Sequence, residues 1–419
     1  MLTGAPRGTK DVLPSSVRAW RYVEQIMREV CREFGYREIR TPIFEHTELF
    51  QRGIGDDTDV VDKEMYTFID RGGRSVTLRP ENTAAVVRSF VENKMYGENL
   101  PFKVFYIGPM FRYDRPQAGR LRQFHQFGVE AIGSDAAVTD AECIMLAMTV
   151  LKKMGLKDLK LKINSVGCPK CRPTYRKALQ DFFRPHIAEM CADCQNRIDK
   201  NPMRLLDCKE EKCKAIAVGA PKVTDYLCKN CQKHYGKVKE LLTAAGVEYE
   251  EDSNLVRGLD YYTKTAFEIQ YTPLGAQSAV AGGGRYDGLV EEIGGPAMSG
   301  IGFAMGMERV LIALEKQELL PKATDDLDVF AVVPDEKDLP KAFSLVNKLR
   351  EAGVSADLDS MGRSFKAQMK QANRLAAKKV IILGADELSR GAVVLKNMAD
   401  SKQEEVAMDK LLTAIQEEK

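Results

Sequence analysis

The chain has 419 residues, 44% of them hydrophobic and 29% charged, with a formal net charge of +2. That composition fits a folded protein of two or three domains and excludes a polybasic tail, while leaving room for a nucleic-acid enzyme, which needs only a local basic face. The sequence holds no apolar run near the ~20 residues of a bilayer-spanning helix, and its start, MLTGAPRGTKDVLP, lacks the apolar core of a signal peptide, so a cytoplasmic protein with no membrane contact is expected.

Pro14 followed by Ser15 and Ser16 predicts a helix start, with one of the serines as the cap. Val17, Trp20, Val23, Met27, Val30 and Phe34 recur at helical spacing, and Gly35 closes the helix. Residues 35–50 begin with strand alternation, which Pro42 interrupts. A second helix is expected from about Asn82. Residues 102–107 and 127–132 read as the strands of a hairpin whose long loop carries YDRPQAGRLRQ. Residues 138–154 read as a helix closed by Gly155. From Gly167 to about Gly246 the apolar periodicity weakens, and cysteine, lysine and proline become frequent, which marks an insertion. Strand-like sequence resumes at Leu255, with further antiparallel strands expected at 267–270 and 278–281. Residues 300–319 start Gly-rich and turn helical. Beyond 321–326, strand (329–333), helix (339–352), strand (354–358), helix (365–377) and strand (380–383) alternate, which predicts a compact, largely parallel α/β domain.

Chemistry concentrates in a few runs. LVRGLDYYTKTAFE, residues 255–268, places Arg257, Asp260, Tyr261 and Tyr262 together. A guanidinium that keeps its proton beside two phenols suits a phosphate held next to a polar aromatic ring. AGGGRYDGLV, residues 281–290, follows soon after. In GPMFRYDRPQAGRLRQFHQFGVE, Arg112 ends a strand and Arg115, Arg120 and Arg122 line the loop. A strand-fixed arginine suits a nucleotide α-phosphate, and loop arginines suit a polyanion. The plainer alternative is a solvated basic hairpin. GIGFAMGMERVL, residues 300–311, sets small residues where a strand meets a helix and puts Arg309 within reach of a terminal phosphate. Helix packing with a surface arginine is the alternative there. GxxxxGK[ST] and GxGxxG are absent from the sequence, so neither standard nucleotide fold is indicated.

Taken in order, the Pro42 segment, FRYDRPQAGRLRQFHQFGVE and GIGFAMGMERVL resemble motifs 1, 2 and 3 of a class II aminoacyl-tRNA synthetase. RGLDYY and GGGRYDG narrow the resemblance to the bacterial histidyl-tRNA synthetases, and it covers nearly the whole chain. It implies an α+β fold. A mainly antiparallel sheet flanked by helices would occupy 1–166 and 247–322, a cysteine-rich insertion domain 167–246, and an α/β anticodon-binding domain 327–419. It also implies ATP-dependent activation of L-histidine with Mg²⁺, transfer to the 3′ end of tRNA(His), and a homodimer formed through motif 1.

Carried over residue by residue, the resemblance puts Arg112 on the α-phosphate of ATP and Arg309 on the γ-phosphate. Arg257 falls between the α-phosphate and the histidine carboxylate, where a fixed cation stabilises the charge that crowds together during attack. Glu81 and Thr83, assisted by Gln126, hold the substrate ammonium. Asn82, in the same histidine-binding run, stands where the bacterial pattern has glycine and is expected to cap the next helix. Glu130 and Tyr262 pair with the two imidazole nitrogens, with Tyr261 alongside and Glu130 also bordering ATP. A pocket built on such bonds rejects an apolar analogue, whose binding would leave its polar groups unpaired. Arg115 and Gln117 are expected at the tRNA acceptor end. Without the resemblance, Glu130 reads as a strand carboxylate paired with an arginine. His125 reads as structural, on the opposite strand face.

Ten cysteines are present. Cys31 and Cys143 sit in apolar helical patterns as buried thiols. The others form the pairs Cys168-x2-Cys171, Cys191-x2-Cys194, Cys208-x4-Cys213 and Cys228-x2-Cys231, the form of zinc-knuckle ligands. Four thiolates make one closed structural zinc site and eight make two. The resemblance brings no zinc with it, and a helical insertion of reduced thiols is the alternative. Three rival functions are a regulatory subunit of ATP phosphoribosyltransferase, a zinc-dependent nucleic-acid-binding module, and a synthetase for another amino acid. The first generally lacks the Arg257 context and the C-terminal domain. The second leaves the arginines unexplained, and Glu130 and Tyr262 argue against the third.

Overall fold

The first helix, Pro14–Glu33, buries Val23, Met27 and Val30 along one face, and Gly35 follows in the left-handed region at φ 77°. Its start differs from the expectation. Leu13 occupies the cap position and neither serine caps; Ser16 Oγ donates back to the Leu13 carbonyl at 3.0 Å. Proline's fixed φ suits the first helical position, which moves the start ahead of the serines. The computed structural model describes residues 3–54, 58, 60–208, 210–256, 261–321 and 327–416. They fall into two compact units, Met1–Pro321 and Lys322–Lys419.

An eight-stranded sheet organises the first unit. Its order is Arg37–Glu38, Phe102–Phe111, Gln123–Ile132, Gly300–Gly306, Ala279–Arg285, Thr263–Tyr271, Leu159–Ser165 and Glu250–Glu251. Neighbours run antiparallel except at the two edges, which are parallel. The hairpin is longer than predicted, with Phe102 against Ile132 at one end and Phe111 against Gln123 at the other. Only residues 112–122 remain as its loop. Phe105 belongs to the core shared with helices Pro14–Glu33, Ala137–Lys153 and Met307–Lys316, whereas Val104 and Tyr106 belong to the core on the other face. That alternation gives the sheet two covered faces.

The strand expected at 278–281 runs on through the glycines as Ala279–Arg285, between two others. Gly283 lies opposite Phe303 and Gly284 opposite Gly302. A Cβ on Gly283 would meet the Gly302 carbonyl oxygen at 2.1 Å. The glycines therefore set the spacing of the sheet centre.

Two features escaped the sequence reading. Leu159–Ser165 is a strand, and Phe44–His46, Ser75–Leu78 and Tyr66–Ile69 form a separate small sheet. The small strands are short and two of them lean on polar residues, so alternation is weak there. The cysteine-rich stretch folds as helices, among them Arg172–Phe183 and Lys229–Ala244. It buries Tyr175, Leu179, Phe183 and Leu205, so it has more core than its composition suggested.

In the second unit Val329–Val332 lies between Ala356–Leu358 and Lys379–Ile382, all parallel. Ala392–Asn397 and Gln403–Ala407 then add antiparallel strands, so this sheet is mixed rather than largely parallel. Among the described residues no helix is long and apolar enough to cross a membrane.

Gly283→Ala should destabilise the first unit by about 3 kcal/mol, because neither strand backbone can yield without losing ladder bonds. Urea unfolding measures it; an unchanged midpoint would show that the strands spread freely.

Candidate active site

Glu81, Thr83, Arg112, Gln126, Tyr261, Tyr262 and Arg309 line one cavity on a face of the main sheet. The structure thus gathers residues that are far apart in the chain. Asn82, Arg115, Gln117 and Glu130 do not line it; Glu130 sits behind the lining residues Thr83, Tyr286 and Gly302. Arg257 lies outside the described residues.

The carboxylates come first. Glu81 precedes helix Thr83–Glu92, and its two oxygens accept from the amides of Thr83 at 2.7 Å and Ala84 at 2.9 Å. Glu81 therefore satisfies the helix N-terminus that Asn82 was expected to cap. Asn82 holds the cap position but makes no side-chain cap bond. Its Oδ1 turns away to accept from Thr41 Oγ1 at 2.7 Å and Arg79 Nη1 at 3.2 Å. Burial raises the proton affinity of Glu81, against the pull of the two amides and the more distant Arg112.

Glu130 is held on both oxygens. Thr83 Oγ1 donates to Oε1 at 2.7 Å and the Tyr286 hydroxyl to Oε2 at 2.6 Å. Neither partner is an arginine, which removes the plainer reading of this residue. Burial pushes the Glu130 carboxyl up to about 8, although both hydrogen bonds work the other way. A Cβ at Gly302 would meet Glu130 Oε2 at 1.9 Å, so glycine in GIGF opens the room for this carboxylate. The sequence reading did not single out Tyr286. Its signal was there: it follows Arg285 in the GGGRYDG run whose neighbouring glycines were noted. Its ring meets Tyr261 edge-on at 5.8 Å, and Tyr261 lies 4.7 Å from Tyr262. Gln126 adds a side-chain oxygen that is buried without a hydrogen-bond partner.

The cations sit beside this polar floor. Arg112 follows the end of its strand, donates Nε to the Pro80 carbonyl at 2.8 Å and stacks over Phe124 at 5.5 Å. Arg309 is fixed by the carbonyls of Gly119 at 3.0 Å and Ala279 at 2.8 Å. Arg120 also lines the cavity and is paired with Asp114. Burial lowers the proton affinity of Arg309, and the neighbouring Arg120 and Arg112 lower it further. Guanidiniums gathered against their mutual repulsion suit a polyanion. Arg115 and Gln117 are exposed at the loop tip, where Gln117 and Arg120 exchange backbone bonds at 3.0 and 2.9 Å.

Two motif residues are structural. His125 packs edge-on against Trp20 at 4.8 Å, and its backbone N–H donates to Glu308 at 2.9 Å. Arg285 is fully buried and paired with Asp140, away from the cavity lining. The eight clustered cysteines gather into two groups, Cys168, Cys171, Cys228 and Cys231, and Cys191, Cys194, Cys208 and Cys213.

An antiparallel sheet that carries a polar cavity edged by arginines is the architecture of a class II aminoacyl-tRNA synthetase. The family model for histidyl-tRNA synthetase matches residues 8–310, and a model for the anticodon binding domain matches 327–418. The chain is 54% identical over 415 residues to the histidine–tRNA ligase of Desulforamulus reducens, covering 99% of each. It is 56% identical over 408 residues to that of Moorella thermoacetica, covering 97% of this chain and 96% of the relative. The crystal structure of apo Staphylococcus aureus histidyl-tRNA synthetase superposes with a TM-score of 0.84 at 44% identity, covering 99% of both chains. The chain belongs to the histidyl-tRNA synthetase family.

Glu130 also generates a pH dependence. Folded, it keeps its proton up to about pH 8, against a reference value of 4.5 for an unperturbed glutamate. Between those values the folded state binds more protons than the unfolded one. The contribution of Glu130 to stability therefore falls as pH rises, by up to about 1.4 kcal/mol per pH unit, and levels off above 8. Unfolding curves of wild type and Glu130→Gln at pH 5 and pH 8.5 check this. The variant should gain relative to wild type with rising pH, and parallel behaviour would mean that Glu130 is ionised throughout.

Proposed function

We propose that the cavity activates L-histidine with ATP and that the chain then transfers the histidyl group to the 3′ end of tRNA(His), acting as a histidine–tRNA ligase. The observation that carries this reading is the cavity that sets Glu81, Gln126, Tyr261 and Tyr262 beside Arg112 and Arg309, with Glu130 just behind its wall holding Thr83 and Tyr286. A ring with two polar nitrogens needs a partner on each. Glu130 offers one in either protonation state, since a hydrogen-bonded carboxyl still has lone pairs or a proton to give. Tyr262 offers the other, with Tyr261 beside it. Glu81 and Gln126 face the substrate ammonium: Glu81 retains lone pairs beyond its two amide bonds, and the Gln126 oxygen is an acceptor awaiting a donor. Asn82 contributes by fixing the wall through Arg79 and Thr41 rather than by touching histidine.

The histidine carboxylate attacks the α-phosphorus, the bond to pyrophosphate breaks, and histidyl-adenylate forms. No general base is needed, because a carboxylate is already ionised. Arg112 takes the α-phosphate, Arg309 the γ-phosphate, and Arg257 the crowded charge between carboxylate and α-phosphate. Mg²⁺ accompanies ATP as part of the substrate. In the second step a hydroxyl of the terminal ribose attacks the acyl carbon and AMP leaves. The exposed Arg115 and Gln117 stand where the acceptor end arrives. Cytoplasmic location, structural zinc on the clustered cysteines, and a homodimer complete the reading. Ile43, Phe44, Phe68 and Ile69 support the dimer, being exposed apolar residues in and beside the small sheet that contains the motif 1 segment.

ATP–pyrophosphate exchange without tRNA, run with each of the twenty amino acids, tests the reaction: histidine alone should support it. Arg257→Ala should lower the exchange rate at least about a hundredfold while histidine binding by equilibrium dialysis changes little. Exchange with a different amino acid would show that Glu130 and Tyr262 are misassigned. Phe68→Asp with Ile69→Asp should convert a dimer to a monomer in sedimentation velocity, and an unchanged mass would place the interface elsewhere.

A further inference from the structure

The four cysteine pairs do not meet in sequence order. The first pair joins the fourth and the second joins the third, so one quartet encloses the other along the chain. Within each quartet the sulfurs all lie within 4.8 Å of one another. The separations are 3.5 Å for Cys168–Cys171, 3.9 Å for Cys168–Cys228, 3.6 Å for Cys171–Cys231 and 3.7 Å for Cys191–Cys208. A disulfide needs about 2.05 Å. Four thiolates around zinc at about 2.3 Å stand about 3.8 Å apart along each tetrahedral edge. The spacing is therefore that of a metal's ligands. Backbone amides already point at the sulfurs, Cys168 N to Cys171 Sγ at 3.3 Å and Cys191 N to Cys213 Sγ at 3.2 Å. Each quartet also has two buried and two half-buried members, which makes a closed site at the edge of a core.

The outer quartet stands at the entrance of two long helices. Cys171 holds the N-cap position of Arg172–Phe183 and Cys228 that of Lys229–Ala244, neither with a side-chain cap bond. Arg172, the next residue, donates Nη2 to the carbonyl of Tyr262 and Nε to that of Val166 at 3.3 Å. Tyr262 lines the amino-acid pocket. Three residues beyond Cys231, His234 contacts the buried Asp140 at 2.7 Å. The cysteines of the inner quartet bond among themselves.

We propose that the eight cysteines hold two zinc ions in nested sites, and that the outer ion positions the Tyr262 backbone of the histidine pocket through Arg172. This rests on the zinc reading above and deepens it: the inner ion serves the insertion alone, whereas the outer ion sets the fit of the amino acid. Arg172 is a positioning residue and does not touch substrate.

The test uses the full chain purified without chelator, with metal content by mass spectrometry and separate dissociation constants for histidine and ATP. Wild type should carry two zinc ions. Cys208→Ser with Cys213→Ser should carry one and bind histidine within twofold of wild type. Cys228→Ser with Cys231→Ser should also carry one, with histidine binding weakened about tenfold and ATP binding unchanged, as expected for a lost buried hydrogen bond at one wall of the pocket. Arg172→Met keeps every cysteine, so it should carry two zinc ions and show the same loss for histidine alone. Fewer than two metal ions in wild type, or iron in their place, overturns the site assignment. Unchanged histidine affinity in Arg172→Met overturns the link to the pocket. A protein that holds two zinc ions and fails exchange with histidine leaves these sites standing and removes only the proposed reaction.

Discussion

The ion pair between Asp140 and Arg285 is the constraint on which the first unit depends. Both side chains are fully buried. Arg285 ends the central glycine strand and Asp140 sits on helix Ala137–Lys153. Thr265 on the adjacent strand donates to Asp140 at 2.5 Å, and His234 on helix Lys229–Ala244 contacts it at 2.7 Å. Arg285 also donates to the Ser134 carbonyl at 2.8 Å. Burial alone would push the Asp140 carboxyl up, but His234 and Arg285 outweigh it and hold it below its usual range. A buried pair is weak evidence of net stabilisation, yet losing one partner costs about 3–5 kcal/mol because the other charge is stranded. The pair therefore acts as a register pin. It fixes one helix on the sheet, one helix of the insertion, and the strand that floors the pocket.

The pocket follows from that pin. With Arg285 turned toward Asp140, the next residue, Tyr286, turns toward Glu130, because neighbours along an extended chain face opposite ways. Gly302, on the strand that pairs with the glycine run, leaves room for the Glu130 carboxylate. The GGGRYDG run thus has a mechanical meaning: glycines for close strands, arginine for the pin and tyrosine for the carboxylate.

The sequence disclosed these features unevenly, for reasons that can be traced. Helices with a clean apolar period and a glycine stop, such as Pro14–Glu33 and Ala137–Lys153, were legible to within a few residues. The cavity arginines at 112 and 309 became legible only through the resemblance to motifs 2 and 3, because a strand end or a glycine run alone also fits a solvated hairpin or plain helix packing. The Glu81 cap was not, since an acidic residue ahead of Asn82 looks like a binding group until the amides of Thr83 and Ala84 are seen to point at it. The glycine strand extends four residues past its expected end at 281 because β propensity penalises glycine, and only the partner carbonyl of Gly302 explains the run. Cysteine spacing announced the pairs but not their pairing, because which pair meets which is a property of the folded helices.

The charged groups in and behind the cavity are arranged against their own interest. Glu81 and Glu130 are buried so that the charged form is disfavoured, and Arg309 is buried beside two other guanidiniums. Each group would be more comfortable in water. In the proposed reaction an ammonium near Glu81 and phosphates near the arginines would relieve both strains at once, each at its own end of the cavity. An amino acid alone or a nucleotide alone relieves half. On the proposed reading the two substrates are drawn to adjacent places, with the carboxylate and the α-phosphate between them. Position, rather than acid–base chemistry, is what such a site supplies, which is why its conspicuous residues are fixed cations and buried hydrogen-bond partners and why no histidine of the chain is needed as a base.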